Sequence, residues 1–224
     1  MGQGIGSVDS IPDDSVRSRR LIFLVCSRIV GSPPEGDTRQ NRSKLPSGAR
    51  DMIDPRIIGN EVLDRADAKG RPLTNLDLQK IVYFLHGHFL RRHNRPLVRG
   101  EFEAWPYGPV HRVMYDSFKV YNDTPIDGRA TAFDPIRRIT HELPALEDKD
   151  ALELIDDVLG FYLDMATWSL VELTHSSGTP WSRTVEMSEG RVNVGMKISD
   201  ALIVDVFEGP ARGAIRQNGQ QQVA

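Results

Sequence analysis

The side chains best suited to acid–base or metal chemistry in this 224-residue chain are its six histidines. His86 and His88 lie two positions apart in an apolar segment, whereas two metal ligands on one helix need a spacing of three or four. Thr174 and His175 form a pair that could supply a nucleophile and its base. No orienting carboxylate, oxyanion hole or Gly-x-Ser-x-Gly motif is visible beside them. We therefore predict no catalytic residue, no metal and no cofactor, with Thr174 and His175 structural; a hydrolase that uses His175 is a third, weaker hypothesis.

A second group of side chains could bind an anion. Four arginines fall within nine positions, interleaved with His93, and such a basic cluster is typical of a nucleic-acid or phosphate contact. The same cluster could dock an acidic protein partner, or could simply close a helix, whose carboxyl end favours cations. The arginines are Arg91, Arg92, Arg95 and Arg99.

The segment EFEAWPYGPVHRVMY, residues 101–115, places two aromatic side chains at a corner. Phe102 and Ala104 alternate with charged residues, which predicts a short strand near Phe102 to Trp105. Proline fixes φ near −65° and suits the first position of a helix, so we predict a helix that begins at Pro109 after Gly108.

The aromatic residues could also form an interface, because they bury a large area for each rotamer they lose. We expect Trp168 and Trp181 inside the core and Tyr107 facing a partner. His111, which directly follows the corner in sequence, is a further candidate.

Helical periodicity dominates the rest of the chain. Asp54 and Pro55 begin one helix, and Thr74 with Asp77 approximates a capping box before a densely apolar helix. Further helices are predicted from about 146 to 162, from Ser169 to about 175, and after Ser199, and residues 126–144 are expected to be irregular or to contain short strands. The fold class is therefore mainly α, with a minor β element, in a single compact helical domain.

Three motifs occur in an order that resembles the Panacea domain of SocA-like antitoxins. They are the helix segment LQKIVYF at 78–84, the corner EAWPYGPV at 103–110, and ELTHSSGTPW at 172–181. The similarity extends over roughly 57–207. Within these motifs the structural positions are Trp105, Gly108, Pro109, Thr174, His175, Pro180 and Trp181.

The resemblance implies a mainly helical, non-enzymatic protein, associated with bacterial toxin–antitoxin pairs and prophage regions, that binds and neutralises a toxin encoded nearby. Candidate partner-binding residues are Tyr107, Arg91, Arg92, Arg95 and His111. The alternative is a DNA-binding regulator in which helix 146–162 and the helix ending at His175 form a helix-turn-helix and the arginine group contacts phosphate, so nucleic acid is a possible but not a favoured partner.

Composition divides the chain into a basic leader and an acidic body. Residues 1–50 hold eight Lys or Arg and five Asp or Glu of the chain's 28 and 31, which leaves 20 basic against 26 acidic residues. The leader is rich in Gly, Ser, Pro and Arg without periodicity, so we expect disorder there, a domain over 51–209 and a flexible tail over 210–224. A sharper hypothesis makes Met52 the true start, which peptides from residues 21–50 in the native protein would contradict.

One cysteine, Cys26, excludes an internal disulfide, as expected for a reducing compartment. The apolar run Leu21 to Cys26 is far shorter than the roughly 20 residues that span a bilayer. Arg28 interrupts it, and no clear cleavage site follows. These features predict a cytoplasmic protein with no membrane partner.

Overall fold

The computed structural model describes residues 52–208, which form seven α-helices, a three-stranded sheet and a separate two-stranded hairpin. This architecture confirms the mainly α class with a minor β element. In chain order the elements are α1 (Pro55–Ala68), α2 (Asn75–His93), β1 (Phe102–Trp105), β2 (Gly108–His111), α3 (Arg112–Phe118), a 3₁₀ turn (Lys119–Tyr121), β3 (Thr131–Asp134), β4 (Ile139–Glu142), α4 (Lys149–Leu163), α5 (Thr167–His175), α6 (Pro180–Glu186), β5 (Lys197–Ile198) and α7 (Asp200–Glu208).

Helix α2 is the centre of the fold, as its apolar density predicts. Thr74 and Asp77 form the complete capping box at its start, and Asn94, in the left-handed conformation with φ 51°, ends it. Its residues are buried almost all round, including the polar Gln79 and Lys80. Helices α1, α3, α4, α5 and α7 and strand β2 all contact it.

Close approach between α2 and the last helix depends on Gly87. A Cβ atom added at Gly87 would lie 2.3 Å from Cζ of Phe207, so only glycine leaves room for that ring. Tyr83 contacts the same ring edge-on, with centroids 6.2 Å apart. The last helix therefore lies directly on the central one.

The predicted helix start at Pro109 is wrong. Gly108–His111 is a strand that pairs antiparallel with β1, with Pro109 opposite Ala104, and α3 begins three residues later at Arg112. The sheet order β2-β1-β5 puts Pro109 on an edge strand. An edge strand tolerates proline because one row of its N–H groups has no ladder partner, so the missing donor costs nothing.

The burial predicted for Trp168 is also wrong, since 62% of this side chain is exposed. Helix α5 begins at Thr167 rather than Ser169, so Trp168 lies within its first turn, on the same exposed face as Glu172 four residues later. Trp181 is half-buried and packs against the core. Helix α4 begins at Lys149, three residues later than predicted, because Asp148 is its N-cap. The predicted strand near Phe102 to Trp105, the short strands within 126–144 and the helix after Ser199 are confirmed.

None of the helices between residues 52 and 208 combines the length and the apolar character that a bilayer span requires. The predictions for the leader over 1–50, the start at Met52, the domain limits and the tail over 210–224 depend on segments that lie outside the described residues.

Candidate functional site

The β1–β2 hairpin and helix α5 together form the platform that carries the recognised motifs. Trp105 pairs with Gly108 across a two-residue loop, Pro106 and Tyr107. Pro106 cannot adopt a positive φ, so the left-handed residue falls on Gly108, whose φ is 95°. A Cβ atom on Gly108 would lie 2.5 Å from Oγ1 of Thr174. The hairpin therefore rests on α5 at a distance that only glycine permits.

The backbone groups on the outer edge of β2 form hydrogen bonds with side chains of α2. Nζ of Lys80 donates to the carbonyl oxygen of Pro109 at 2.9 Å, and the backbone N–H of His111 donates to Oε1 of Gln79 at 2.8 Å. These groups alternate along the strand and point away from β1, as expected for the free side of an edge strand. Lys80 and Gln79 of the central helix thus make hydrogen bonds to β2 that a neighbouring strand would otherwise make.

Lys80 is fully buried at this edge. Burial lowers the pKa of its amino group to about 7, because the charged form loses its hydration. Such a group is unusual in a core, and the hydrogen bond to the carbonyl of Pro109 accounts for its orientation.

The Thr174–His175 pair holds the hairpin loop onto α5. The hydroxyl of Thr174 is buried and donates to the carbonyl of Val171 at 2.7 Å, and the imidazole Nε2 of His175 lies 3.0 Å from the carbonyl oxygen of Pro106. With its proton directed to its own helix, this hydroxyl is placed as a structural donor.

The Pro180–Trp181 pair also holds the hairpin and α5 together. Nε1 of Trp181 donates to the carbonyl oxygen of Trp105 at 2.9 Å, and its ring lies 4.0 Å from the imidazole of His175, centroid to centroid. Pro180 is the first residue of α6, and Thr179 caps it by accepting from the N–H of Ser182. The Thr-Pro signature of this helix start is visible in the sequence, although we did not predict α6 from it.

An exposed aromatic surface stands on this platform. Tyr107 at the hairpin loop and Trp168 on α5 are 60% and 62% exposed, and their rings meet edge-on with centroids 6.3 Å apart. Next to them Trp105 packs on Tyr115, and the guanidinium of Arg112 lies 5.6 Å from the centre of the Trp105 ring. Tyr107 is therefore exposed to solvent, and Trp168, which was predicted to lie inside, is exposed beside it.

The arginine group does not form one open basic patch. Arg92 forms ion pairs with Glu153 and Asp157 of α4, both at 2.7 Å. Arg95 forms ion pairs with Asp148 and Asp150 at the start of the same helix.

Arg91 on α2 and His111 on β2, the two remaining candidates for partner binding, lie in the interior. Arg91 is 5% and His111 2% exposed. Burial lowers the pKa of His111, whose Nε2 lies 2.9 Å from the carbonyl oxygen of Arg99. Of the five predicted partner-binding residues, only Tyr107 is mainly exposed to solvent. Arg92, Arg95 and His111 contact other parts of the fold, and Arg91 is buried.

The central histidines have structural partners. Nε2 of His86 lies 3.0 Å from a carboxylate oxygen of Asp200 on α7, and Nε2 of His88 lies 2.7 Å from the hydroxyl of Tyr162 on α4. Sequence spacing could not find Asp200, because it is 114 positions away. Among residues 52–208 no group of three or more His, Cys, Asp or Glu side chains is arranged to hold a metal ion.

Comparison with known proteins agrees with this geometry. The family described as antitoxin SocA-like, Panacea domain, matches residues 78–182, the stretch that runs from the central helix through the hairpin to Trp181 and Ser182. The chain belongs to this family. It is 38% identical over 155 residues to the protein named Antitoxin SocA of Caulobacter vibrioides (strain NA1000 / CB15N), an alignment that covers 69% of this chain and 82% of that relative. No solved structure matches the chain.

Proposed function

We propose that this protein is a non-enzymatic antitoxin of the bacterial cytoplasm that binds and neutralises a toxin encoded near its own gene. Family membership supports the antitoxin role, since the chain is 38% identical to a protein named as an antitoxin. Neutralisation of this kind needs only tight binding, because a dissociation constant in the nanomolar range, about −12 kcal/mol, leaves little free toxin.

The observation that carries the proposal is the exposed aromatic pair Tyr107 and Trp168. Tyrosine and tryptophan are the residues that most often dominate the energy of protein interfaces. A loop and a helix present them; His175 contacts the loop at Pro106, and Lys80 holds the strand that follows it at Pro109. A surface that is ordered before binding loses less entropy when the partner docks. This rigid pair is the part of the platform suited to contact a toxin.

The hydrogen bonds of Thr174 and His175 favour binding over catalysis. The Thr174 hydroxyl donates to its own helix, and the imidazole of His175 lies between two backbone carbonyls, 2.9 Å from Val171 and 3.0 Å from Pro106. Both side chains are thus occupied in holding the surface that carries Tyr107.

Growth rescue tests the proposed function. Each protein encoded beside the gene is expressed in a bacterial host, alone and together with the 224-residue chain. We expect one of them to arrest growth alone and the chain to restore growth. The variant His175→Gln, which keeps a side-chain donor at the loop, should rescue as well as the wild type. If the wild-type chain, at normal expression, restores growth with none of the neighbouring proteins, the proposal is contradicted.

The alternative of a DNA-binding regulator has a separate test. Helices α4 and α5 follow one another closely, as a helix-turn-helix requires, but the cations of Arg92 and Arg95 already face carboxylates of α4. A regulator should bind duplex DNA with an affinity that falls steeply between ~50 and ~200 mM salt. The antitoxin proposal predicts no such binding to duplex DNA at either salt concentration.

A further inference from the structure

The exposed aromatic pair is accompanied by a carboxylate on the same helical stripe. Glu172 lies four residues after Trp168 on α5, a spacing that brings two side chains to one face of a helix. Both residues are exposed. Within residues 52–208 the carboxylate of Glu172 takes part in no salt bridge, in contrast to the acidic residues of α4 that pair with Arg92 and Arg95.

The edge-on arrangement of the two rings leaves aromatic faces open to a ligand. The planes of Tyr107 and Trp168 meet at 67°, so the pair forms a shallow corner rather than a closed stack. The faces of aromatic rings carry negative potential and attract cations that come within about 6 Å, tryptophan most strongly. A carboxylate beside such a corner adds charge of the sign that a cation prefers.

The fold already uses this interaction at two other places. The guanidinium of Arg95 lies 4.5 Å from the centre of the Phe89 ring, and that of Arg112 lies 5.6 Å from the centre of the Trp105 ring. Arg112 also donates to Asp116. Arg112 is thus engaged on Trp105, and among residues 52–208 no Lys or Arg is recorded over the ring of Tyr107 or Trp168.

We propose that Tyr107, Trp168 and Glu172 form a docking site for an arginine side chain of the partner protein. The guanidinium would stack on the indole of Trp168 while its N–H groups donate to the carboxylate of Glu172, since arginine combines a planar stacking face with a donor fork that matches carboxylates. The charge balance fits a basic partner, because residues beyond position 50 hold 26 acidic against 20 basic side chains. This inference rests on the proposed function, because the partner that supplies the arginine is the toxin.

A direct binding experiment tests the site without knowledge of the toxin. The probe is a dye-labelled tetra-arginine peptide, compared with the tetra-citrulline peptide, which has nearly the same shape without the charge, and with tetra-lysine. Fluorescence anisotropy with the full 224-residue chain should show tighter binding of the arginine peptide than of the citrulline peptide. Tetra-lysine should bind more weakly than tetra-arginine, because an ammonium group cannot stack or form the paired hydrogen bonds.

Matched variants separate the site from general charge attraction. Trp168→Ala and Glu172→Gln should each weaken arginine-peptide binding by about threefold to tenfold, the range of a single exposed cation–aromatic or charged contact. Phe133→Ala and Glu142→Gln change an exposed aromatic and an exposed acid on β3 and β4, and should leave binding unchanged. Equal binding of the arginine and citrulline peptides, or equal effects of the two pairs of variants, would overturn the proposal.

The outcome is distinguishable from failure of the antitoxin role. If the wild-type chain rescues no neighbour but binds the arginine peptide through Trp168 and Glu172, the docking site stands and the proposed function fails. If the chain rescues growth while the peptide arms show no arginine preference, the proposed function stands and the docking site is wrong.

Discussion

Nζ of Lys80 lies 2.9 Å from the carbonyl oxygen of Pro109, at the edge of the hairpin that pairs with no strand of residues 52–208. Through this contact the central helix holds strand β2, which directly follows the loop that carries Tyr107. The same contact places a titratable group in the interior, and the stability of the fold should therefore depend on pH.

The first prediction concerns Lys80 at alkaline pH. Burial lowers the pKa of its amino group in the folded chain to about 7, from the ordinary 10.5. Between these values the unfolded chain holds more protons, so the free energy of unfolding should rise with pH across this window and carry the full penalty below about pH 7. From pH 7 to 9 we expect the wild type to gain about 2 kcal/mol relative to Lys80→Met.

Urea unfolding of both chains at pH 7, 8 and 9 measures this difference. The variant lacks the titrating group, so its slope against pH is the baseline. Parallel slopes for the two chains would show that Lys80 stays charged in the folded protein.

The second prediction concerns His88 at acidic pH. Burial, with a smaller effect of the nearby Arg91 charge, lowers the pKa of His88 to about 3. The folded chain keeps the ring neutral beside the hydroxyl of Tyr162, whereas the unfolded chain protonates near pH 6.5. Stability should therefore fall as pH drops from about 6.5 towards 3, by about 3 kcal/mol more than in His88→Gln at pH 4. An acid unfolding profile that is the same in both chains would contradict this.

Much of this arrangement follows from sequence, and the exceptions have identifiable causes. Helix α2 could be predicted because its capping box at Thr74 and Asp77 agrees with its apolar periodicity. The predicted helix start at Pro109 was wrong because proline suits both a helix start and an edge strand. Only the pairing of Pro109 with Ala104 decides between the two. Local sequence holds no information about such pairing.

The exposure of Trp168 had a similar cause. Helix α5 begins two residues earlier than predicted, and its packing buries Leu170, Leu173 and Thr174, which leaves Trp168 on the exposed face; local sequence does not show which face a short helix buries. Lys80 was missed because a lysine within an apolar helix is ordinarily solvated at one side, and its acceptor on Pro109 lies 29 positions away.

The third prediction separates steric contact from backbone strain at Gly108. Both Gly108 and Gly190 have positive φ, 95° and 75°, but only at Gly108 would a Cβ meet another atom, Oγ1 of Thr174 at 2.5 Å. Gly190→Ala should cost about 1 kcal/mol from the left-handed backbone alone. Gly108→Ala should cost about 3 kcal/mol, because the hairpin must also move away from α5. Thermal unfolding of the two variants measures the difference, and equal losses would mean that the hairpin does not rest tightly on α5.

The affinity of the purified chain for the toxin found by growth rescue tests the central claim most directly. The double variant Tyr107→Ala/Trp168→Ala should bind at least about 100-fold more weakly than the wild type, since two aromatic residues that each contribute about 1.4 kcal/mol, below the level of a typical hot spot, already give that factor. Phe133→Ala, which removes an aromatic side chain that is 63% exposed on β3, should bind like the wild type. If the folded double variant keeps wild-type affinity, the toxin binds elsewhere and the platform of hairpin and helix is not its docking surface.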